Sequence, residues 1–446
     1  MKKLDLRTIL RFWIPLSATW LMMSVEGPYL AAIIARMAQP KFNLAAYGVA
    51  FSFAMIVEAP IIMIMSASTA LVKDYHSFKK LKTFTYSLNA LITCLIVLFI
   101  LPPVFNFIAG KVVKLPGEIL GLTHIATIIL IPWPASIGYR RFYQGILISH
   151  NLTKRVAYGT IVRLSSMSLT AVIFFFFTSF PGVIVGASAL SCGVICEAIA
   201  SKFMALATVK QISSVNKQDP TSSLQSSKLS YREIIHFYYP LALTSILTLA
   251  VNPLITFFLG QSRLAIESLA VLPVLNSFLF IFKSFGVSYQ EAAIALLSGG
   301  KQNSYKSVRN FAAIIGVLTA SVLLVISLSS FSDLWFSGLS GLSDELSRLA
   351  RFPLLLLAII PALEVLISFQ RAVLINSRFT NPITMATAIE VLGIILVLIV
   401  SVRYFDLIGV TAAAFAMLFG RLGANIFLFV PLSKALKSPL KPQPEQ

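Results

Sequence analysis

Apolar residues along the chain fall into long runs, separated by short segments where lysine, arginine and other polar residues gather. The runs are roughly 20 to 30 residues long, which suits helices that cross a bilayer, whereas strands of a membrane barrel would give alternating runs of about 10. The pattern therefore predicts twelve transmembrane helices. Their expected bounds are Ile9–Met37, Leu44–Leu71, Phe84–Ile108, Ile119–Ile148, Ala157–Phe180, Gly182–Thr208, Ile234–Leu259, Leu264–Leu297, Phe311–Phe331, Leu346–Ile375, Pro382–Val402 and Leu407–Leu432.

Composition and charge indicate an integral membrane protein. Hydrophobic residues make up 57% of the 446 residues and charged residues 12%, against about 25% charged in soluble domains. The net charge of +19 does not predict a nucleic-acid partner, because most lysines and arginines lie in loops on one side, as the positive-inside rule requires. We expect both termini in the cytoplasm, a plasma membrane (the inner membrane of a bacterium), and contacts with anionic membrane lipid.

The chain divides near its midpoint into two similar halves. The stretch Lys210–Ser230 is polar and rich in serine, which is typical of a linker, and the segments on either side match at a separation of about 225 residues. The pairs in register include Phe12 with Phe237, Pro15 with Pro240, Thr19 with Thr244, Pro28 with Pro253 and Ser52 with Ser277. The predicted fold is all-α and polytopic, with twelve transmembrane helices as two parallel six-helix repeats. The expected domains are residues 1–209, a cytoplasmic linker 210–231, and residues 232–446.

Two prolines at matching positions mark the first and seventh spans. Pro28 follows Gly27 and Pro253 follows Asn252, and proline removes a backbone donor from a helix, so we expect helix breaks at these residues. Breaks at matching positions of two repeats point to a transporter's binding region. Glu26 lies beside the first break and has no counterpart in the second. Glu26 either exchanges an ion, or lies near the outer interface and hydrogen-bonds the broken helix.

Charged side chains inside the predicted spans are numerous, although each costs about 2.5–3.5 kcal/mol on insertion scales. The repeat places opposite charges at three equivalent positions, Glu58 with Lys283, Arg163 with Glu390, and Glu197 with Arg421. Either these residues pair across a cleft between the lobes, or each pairs within its own half and holds helices together. Together with Asn252 and Glu291 they are the candidates for lining a substrate cleft. Other charged residues well inside the spans include Arg140, Arg141, Glu364 and Arg371.

Motifs of enzymes are absent from the sequence. It contains no G-x-x-x-x-G-K-[ST] phosphate loop and no H-E-x-x-H pair, and its cysteines and histidines show no metal-ligand spacing. We therefore expect no catalytic residue, no bound metal and no cofactor. A membrane-embedded hydrolase or transferase is the less favoured alternative, because no nucleophile and base stand near each other.

Several stretches resemble a known family of transporters. "RFWIPL" at Arg11–Leu16, "LAAYGVAFS" at Leu44–Ser52, "FYYPLAL" at Phe237–Leu243 and "NPLITFFLGQ" at Asn252–Gln261, in a chain of twelve spans, are similar to the MOP flippase superfamily. That superfamily includes the MATE multidrug exporters and the progressive-ankylosis (ANK-like) proteins, and the quoted stretches are most similar to the ANK-like branch.

The resemblance implies a secondary active transporter that exports a small molecule by alternating access between two lobes. It also implies coupling to a H⁺ or Na⁺ gradient, as in an antiporter, and Glu26 is the acid of the first span, where MATE exporters often use one for coupling. An ANK-like protein would export an organic anion, and a MATE-like protein an amphipathic drug or metabolite. We expect a monomer. The alternative function is a flippase for a lipid-linked oligosaccharide.

Overall fold

The computed structural model describes residues 5–113, 115, 117–218, 229–298, 302–340 and 342–437. In the first half of the chain the helices are α1 (Leu6–Ile34), α2 (Pro40–Glu58), α3 (Ile64–Leu71), α4 (Tyr75–Ile100), α5 (Pro102–Phe105), α6 (Gly117–Ile129), α7 (Pro132–Ser149), α8 (Thr153–Phe177) and α9 (Gly182–Gln218). In the second half they are α10 (Tyr231–Leu259), α11 (Ala265–Ser298), α12 (Gln302–Leu328), α13 (Phe331–Asp333), α14 (Asp344–Leu357), α15 (Ile360–Asn376), α16 (Asn381–Arg403) and α17 (Gly409–Lys437).

Twelve helical stretches within these ranges are long and apolar enough to cross a membrane, which confirms the predicted number of spans. Nine of them are single helices, and the other three are α2 with α3, α6 with α7, and α14 with α15. The outer faces are apolar as well: Phe177 is 82% exposed and Leu328 is 69% exposed. Large apolar side chains in such numbers on the surface require lipid as the solvent, so the chain is an integral membrane protein.

The helix breaks lie in other spans than predicted. Helix α1 continues through Gly27 and Pro28, and α10 continues through Pro253. A proline can remain inside a membrane helix when neighbouring groups satisfy the carbonyl that it frees. The observed breaks separate α2 from α3, α6 from α7, and α14 from α15, and the last two fall in the fourth and tenth spans, which are equivalent in the repeat.

Proline accounts for the observed breaks because it is favoured where a helix begins. Pro132 begins α7, Pro361 lies in the first turn of α15, and Pro60 lies in the 3₁₀ turn Ala59–Ile61 that follows α2. A backbone N–H in the first turn of a helix has no acceptor within the helix, so the N–H that each proline lacks costs no hydrogen bond there.

The two halves share backbone details that side chains do not dictate. Gln39, before α2, has φ 49°, and Leu264, before α11, has φ 51°. Asn151, between α7 and α8, has φ 61°, and Arg378, between α15 and α16, has φ 55°. Positive φ is uncommon for residues other than glycine, so its recurrence at equivalent positions supports the structural repeat.

The sixth and twelfth spans also begin in the same way. The backbone N–H of Val183 in α9 donates to Asn43 Oδ1 of α2 at 3.0 Å, and the N–H of Val410 in α17 donates to Ser268 Oγ of α11 at 3.0 Å. Each bond satisfies a donor that the first turn of a helix leaves free. Asn43 and Ser268 are equivalent in the repeat. In each half, a side chain from the second span therefore caps the start of the sixth span of that half.

The helices pack as two units. The N-terminal unit is Val25–Tyr238, and the C-terminal unit combines Met1–Ser24 with Tyr239–Gln446. Helix α1 therefore contributes to both units, whereas the predicted division, at 1–209 and 232–446, gives all of it to the first lobe. Helix α9 extends to Gln218, inside the segment 210–231 predicted as a linker, and residues 219–228 lie outside the described residues.

Each unit has its own apolar core. In the N-terminal unit, Leu30, Tyr47, Trp133 and Leu190 are among the buried residues that join α1, α2, α7 and α9. In the C-terminal unit, one core cluster includes Phe278, Phe336, Leu354 and Val410, and a second includes Ile255, Ile394 and Ala413. These cores hold the helices that carry the buried charges of each unit.

Two glycines give a test of this packing. Gly145→Ala is expected to destabilise the protein, because a Cβ there would lie 2.6 Å from Ser68 Cβ and 2.7 Å from the Met65 carbonyl oxygen, and such overpacking costs about 1–3 kcal/mol. Gly27→Ala is the matched control: no atom lies within 4 Å of its Cβ position, and alanine is about 1 kcal/mol better than glycine inside a helix. The midpoint of thermal unfolding in detergent should fall for Gly145→Ala and hold or rise for Gly27→Ala; a fall for Gly27→Ala would argue for a break in α1.

Candidate functional site

Four buried charged side chains from α1, α7, α8 and α9 form what we call the N-terminal cluster: Glu26, Arg140, Arg163 and Glu197. Arg163 donates to Glu26 Oε2 at 2.5 Å, and Arg140 donates to Glu197 Oε2 at 2.5 Å. A second nitrogen of Arg163 lies 3.7 Å from Glu197 Oε2. Arg163 therefore lies between two carboxylates, and the four charges form one chain of contacts inside a single unit.

The two carboxylates of the N-terminal cluster differ in how fully they are hydrogen-bonded. Glu197 Oε1 accepts hydrogen bonds from Gln144 Nε2 at 3.1 Å and from Thr160 Oγ1 at 3.4 Å, besides the bond from Arg140 to its other oxygen. Glu26 Oε1 is buried and accepts no hydrogen bond from the described residues. Glu197 is thus held from several sides, whereas Glu26 keeps one oxygen free to take a proton or a ligand.

Glu58 lies beside the N-terminal cluster, at the C-terminal end of α2 where that span is broken. It is buried and interacts electrostatically with Arg141, Arg140 and Arg163, in decreasing order. At the break, the Pro60 carbonyl accepts a hydrogen bond from the Tyr238 hydroxyl at 2.5 Å. With Glu58 and Arg141 included, the buried charges of this unit are three acids against three arginines.

The C-terminal unit has a corresponding group, the C-terminal cluster: Lys283 of α11, Glu364 and Arg371 of α15, Glu390 of α16 and Arg421 of α17. Arg421 lies 3.3 Å from Glu364 Oε2 and 3.1 Å from Glu390 Oε1, and Lys283 Nζ lies 3.8 Å from Glu364 Oε2. Arg371 donates to the hydroxyl of Thr387 at 3.1 Å and interacts electrostatically with the other arginine and both glutamates.

The C-terminal cluster contains more basic than acidic side chains. Lys283, Arg371 and Arg421 lie with Glu364 and Glu390. The Lys283 side chain is 24% exposed, whereas those of Glu364 and Arg421 are 7% and 11% exposed. Basic side chains in excess over acids favour an anion, and Lys283 is the most accessible of these three side chains to a ligand.

The described ion pairs answer the question left open by the sequence. Every described ion pair joins residues of one unit. Arg163 pairs with Glu26 and Glu197, and Arg421 pairs with Glu390. Of the residues that the repeat matched as Glu58 with Lys283, Arg163 with Glu390 and Glu197 with Arg421, all but Glu58 have a described ion-pair partner within their own half.

The remaining candidates from the sequence lie apart from these contacts. Asn252 is exposed, and its backbone carbonyl accepts the hydroxyl of Thr256 within α10. Glu291 accepts a hydrogen bond from Trp20 Nε1 of α1 at 3.1 Å. Gly27 and Pro28 lie in continuous helix next to Glu26. Among the described residues, no group of three or more His, Cys, Asp or Glu side chains could hold a metal ion.

Two neutral partners, Gln144 and Thr160, were missed by sequence reasoning. The signal that finds them is helical spacing: Gln144 is one turn after Arg140 on α7, and Thr160 is one turn before Arg163 on α8. Residues three or four apart lie on the same face of a helix. A polar residue at that spacing from a buried charge in an apolar span therefore predicts a shared partner, which here is Glu197.

No protein-family model and no curated protein sequence matches the chain. Solved structures do. A point mutant of the Vibrio cholerae MATE transporter VcmN is 15% identical over 98% of both chains, with a TM-score of 0.73. The eukaryotic MATE transporter AtDTX14 is 13% identical over 98% of this chain and 97% of its own, with a TM-score of 0.72.

A third similar structure is a MOP superfamily transporter from Pyrococcus furiosus, at 13% identity over 99% of this chain and 98% of its own, with a TM-score of 0.71. Its binding pocket is described as having reverse polarity, which suggests a different function for that transporter. All three likenesses run over nearly the whole length of this chain, at identities that establish the fold. The chain has the fold of the MATE transporters of the MOP superfamily.

Proposed function

We propose that the protein is a secondary active transporter that exports a small molecule by alternating access between two lobes. The observation that carries the proposal is the N-terminal cluster, four buried charges in contact inside one unit of a twelve-span protein with a transporter fold. Intramembrane charges are expensive and mark ion or substrate pathways. The free Glu26 oxygen gives this cluster a group that can change its charge during a cycle.

Coupling is proposed to use H⁺ rather than Na⁺. Glu26 already has a cation beside it, the guanidinium of Arg163 at 2.5 Å, so a sodium ion would bind against a like charge. A proton on Glu26 instead neutralises the carboxylate and releases Arg163. The released guanidinium has a second carboxylate, Glu197, at 3.7 Å. Proton binding thus shifts Arg163 from one acid to the other and changes how α1, α8 and α9 are held together.

The proposed substrate is a small organic anion. The excess of basic over acidic side chains in the C-terminal cluster and the partial exposure of Lys283 favour this class. The sequence resemblance to the ANK-like branch favours it as well. An amphipathic cation, the MATE-like alternative, would meet three cationic groups in that cluster. A lipid-linked oligosaccharide flippase and a membrane-embedded enzyme are less favoured, because no described group of residues points to either.

The remaining parts of the proposal concern topology and assembly. We propose a monomer in the plasma membrane, or the inner membrane of a bacterium, with both termini in the cytoplasm. The distribution of lysine and arginine among the loops supports this orientation.

Flux into proteoliposomes tests the proposal. The purified protein is reconstituted and supplied with citrate, ATP or a cationic dye, with and without a pH gradient. We expect gradient-dependent movement of an anion above that in protein-free liposomes. If only the dye moved, the proposal that the substrate is an anion would be rejected. If correctly folded protein moved none of the three compounds, the result would count against transport of these classes.

Substitution of Lys283 tests the anion site within the same assay. Lys283→Met should weaken the apparent affinity for the transported anion about 10- to 100-fold, because a charge-assisted hydrogen bond contributes about 1.5–3 kcal/mol. Lys306→Met, which removes an exposed lysine of α12, is the matched control and should transport normally. Equal losses in both variants would assign the effect to overall charge and reject a site at Lys283.

A further inference from the structure

Three tyrosines and two lysines on α4, α7 and α9 form what we call the tyrosine–lysine groove: Lys82, Tyr86, Tyr139, Tyr143 and Lys202. The ring of Tyr139 stacks on that of Tyr86 at 5.6 Å between centroids and contacts that of Tyr143 at 5.0 Å. The hydroxyl groups of Tyr86 and Tyr143 are 3.2 Å apart. The groove lies entirely in the N-terminal unit and shares no residue with the N-terminal cluster.

The two lysines of the groove are held by aromatic rings and not by acids. Lys82 Nζ lies 5.4 Å from the centre of the Tyr86 ring, and Lys202 Nζ lies 5.9 Å from that of Tyr139. In the described part of the chain neither lysine takes part in an ion pair. A cation–π contact contributes about 0.5–1 kcal/mol at an exposed site, so both ammonium groups remain able to bind an anion.

The surroundings of the groove are apolar and face outward. On α9, Lys202 is exposed between Ile199 and Phe203, and Phe203 is 65% exposed. On α4, Val97 is exposed three turns beyond Tyr86 on the same face of the helix. Exposed apolar side chains on a membrane-spanning helix contact lipid, so the groove combines two ammonium groups and tyrosine hydroxyls with a surface on which acyl chains can lie.

The parts of the groove on α4 and α7 lie near one end of those helices. Lys82 is seven residues after the start of α4, or about 10 Å at 1.5 Å per residue. The start of α4 and the end of α9 face the same side, which the loop charges predict to be the cytoplasm. Lys82 is therefore at the depth at which a long basic side chain reaches the headgroup region. Lys202 lies sixteen residues before the end of α9 and meets the groove at the Tyr139 ring.

We propose that the tyrosine–lysine groove binds the headgroup phosphate of an anionic phospholipid from the cytoplasmic leaflet. The two ammonium groups pair with the phosphate. Of the paired Tyr86 and Tyr143 hydroxyls, the one that accepts from the other donates its own hydrogen bond to a phosphate oxygen, and the acyl chains lie against the exposed residues of α4 and α9. Basic pockets between membrane helices on this side bind such headgroups. A soluble organic phosphate offers the same charge, but it leaves the apolar surface uncovered.

Native mass spectrometry of delipidated protein tests the proposal, with phosphatidylglycerol, phosphatidylcholine or glycerol phosphate added in turn. We expect phosphatidylglycerol to bind well above the other two, and Lys82→Met/Lys202→Met to weaken it about 10- to 30-fold. The control Lys154→Met/Lys306→Met removes two exposed lysines elsewhere and should bind like the unmodified protein.

A second variant protects the test against misfolding. Tyr86→Phe/Tyr143→Phe keeps the rings and removes only the hydroxyls, and it should also weaken phosphatidylglycerol binding. Equal binding by the lysine variant and its control would overturn the proposal. Binding of glycerol phosphate as strong as that of phosphatidylglycerol would also overturn it, in favour of a site for soluble phosphate.

Discussion

Glu197→Ala is expected to destabilise the protein by about 3–5 kcal/mol, because breaking a buried ion pair on one side leaves the other charge uncompensated. The Glu197 side chain is fully buried, and its removal takes away the carboxylate that Arg140 contacts and deprives Gln144 and Thr160 of their acceptor. The midpoint of thermal unfolding in detergent and the yield of monodisperse protein should both fall.

A surface pair supplies the control for this measurement. Asp333→Ala removes the carboxylate that pairs with Arg351 at 2.6 Å, and in that pair the side chains are 31% and 53% exposed. An exposed pair contributes about 0–1 kcal/mol, so the midpoint should change little. If both substitutions shifted the midpoint equally, the N-terminal cluster would not be the stabilising element that its geometry indicates.

Glu26→Gln should abolish proton-driven transport while leaving the protein folded. Glutamine keeps the shape and a hydrogen-bond acceptor for Arg163 but cannot exchange a proton. We expect accumulation driven by a pH gradient to fall by about 100-fold, the size of effect usual for a lost proton-transfer group, whereas exchange of substrate without a gradient should persist. The measurement is uptake into proteoliposomes at matched protein density.

The control for Glu26 is Glu118→Gln, an exposed acid at the start of α6 in the same unit. It changes the net charge equally and should transport normally. Unimpaired proton-driven uptake by Glu26→Gln would remove Glu26 from the coupling mechanism. If Glu26→Gln lost substrate exchange as well as proton-driven uptake, Glu26 would instead be needed to hold the helices of the bundle in position.

The sequence was sufficient to predict the twelve spans and their repeat, because both depend on runs of apolar residues and on matched positions such as Pro15 and Pro240. It was not sufficient to predict where helices break. Pro28, Pro60 and Pro132 carry the same local signal, yet only the last two lie at helix breaks. Whether a freed carbonyl finds another partner depends on the neighbouring helices, which the local sequence does not describe.

The charge clusters also combine features that the sequence predicts with features that depend on helix packing. The apolar setting of Glu26, Arg163 and Glu197 marks each of them as a buried charge that needs a partner. The choice of partner joins residues far apart in the chain, since Arg163 and Glu26 are separated by 137 positions. Only the packing of α1 against α8 and α9 decides that contact, and for this reason the pairing within each half was one of two open alternatives at the sequence level.

The left-handed turns at Gln39 and Leu264, and at Asn151 and Arg378, bear on the evolutionary origin of the two halves. The residues at each pair of positions share no side-chain chemistry, so a common local preference does not explain their common torsion angles. Duplication and fusion of a gene for a single six-helix bundle does explain them, since the path of the backbone outlasts the side chains that first produced it. The two bundles now differ in their buried charged side chains, with equal numbers of acids and arginines in the first and more basic than acidic residues in the second.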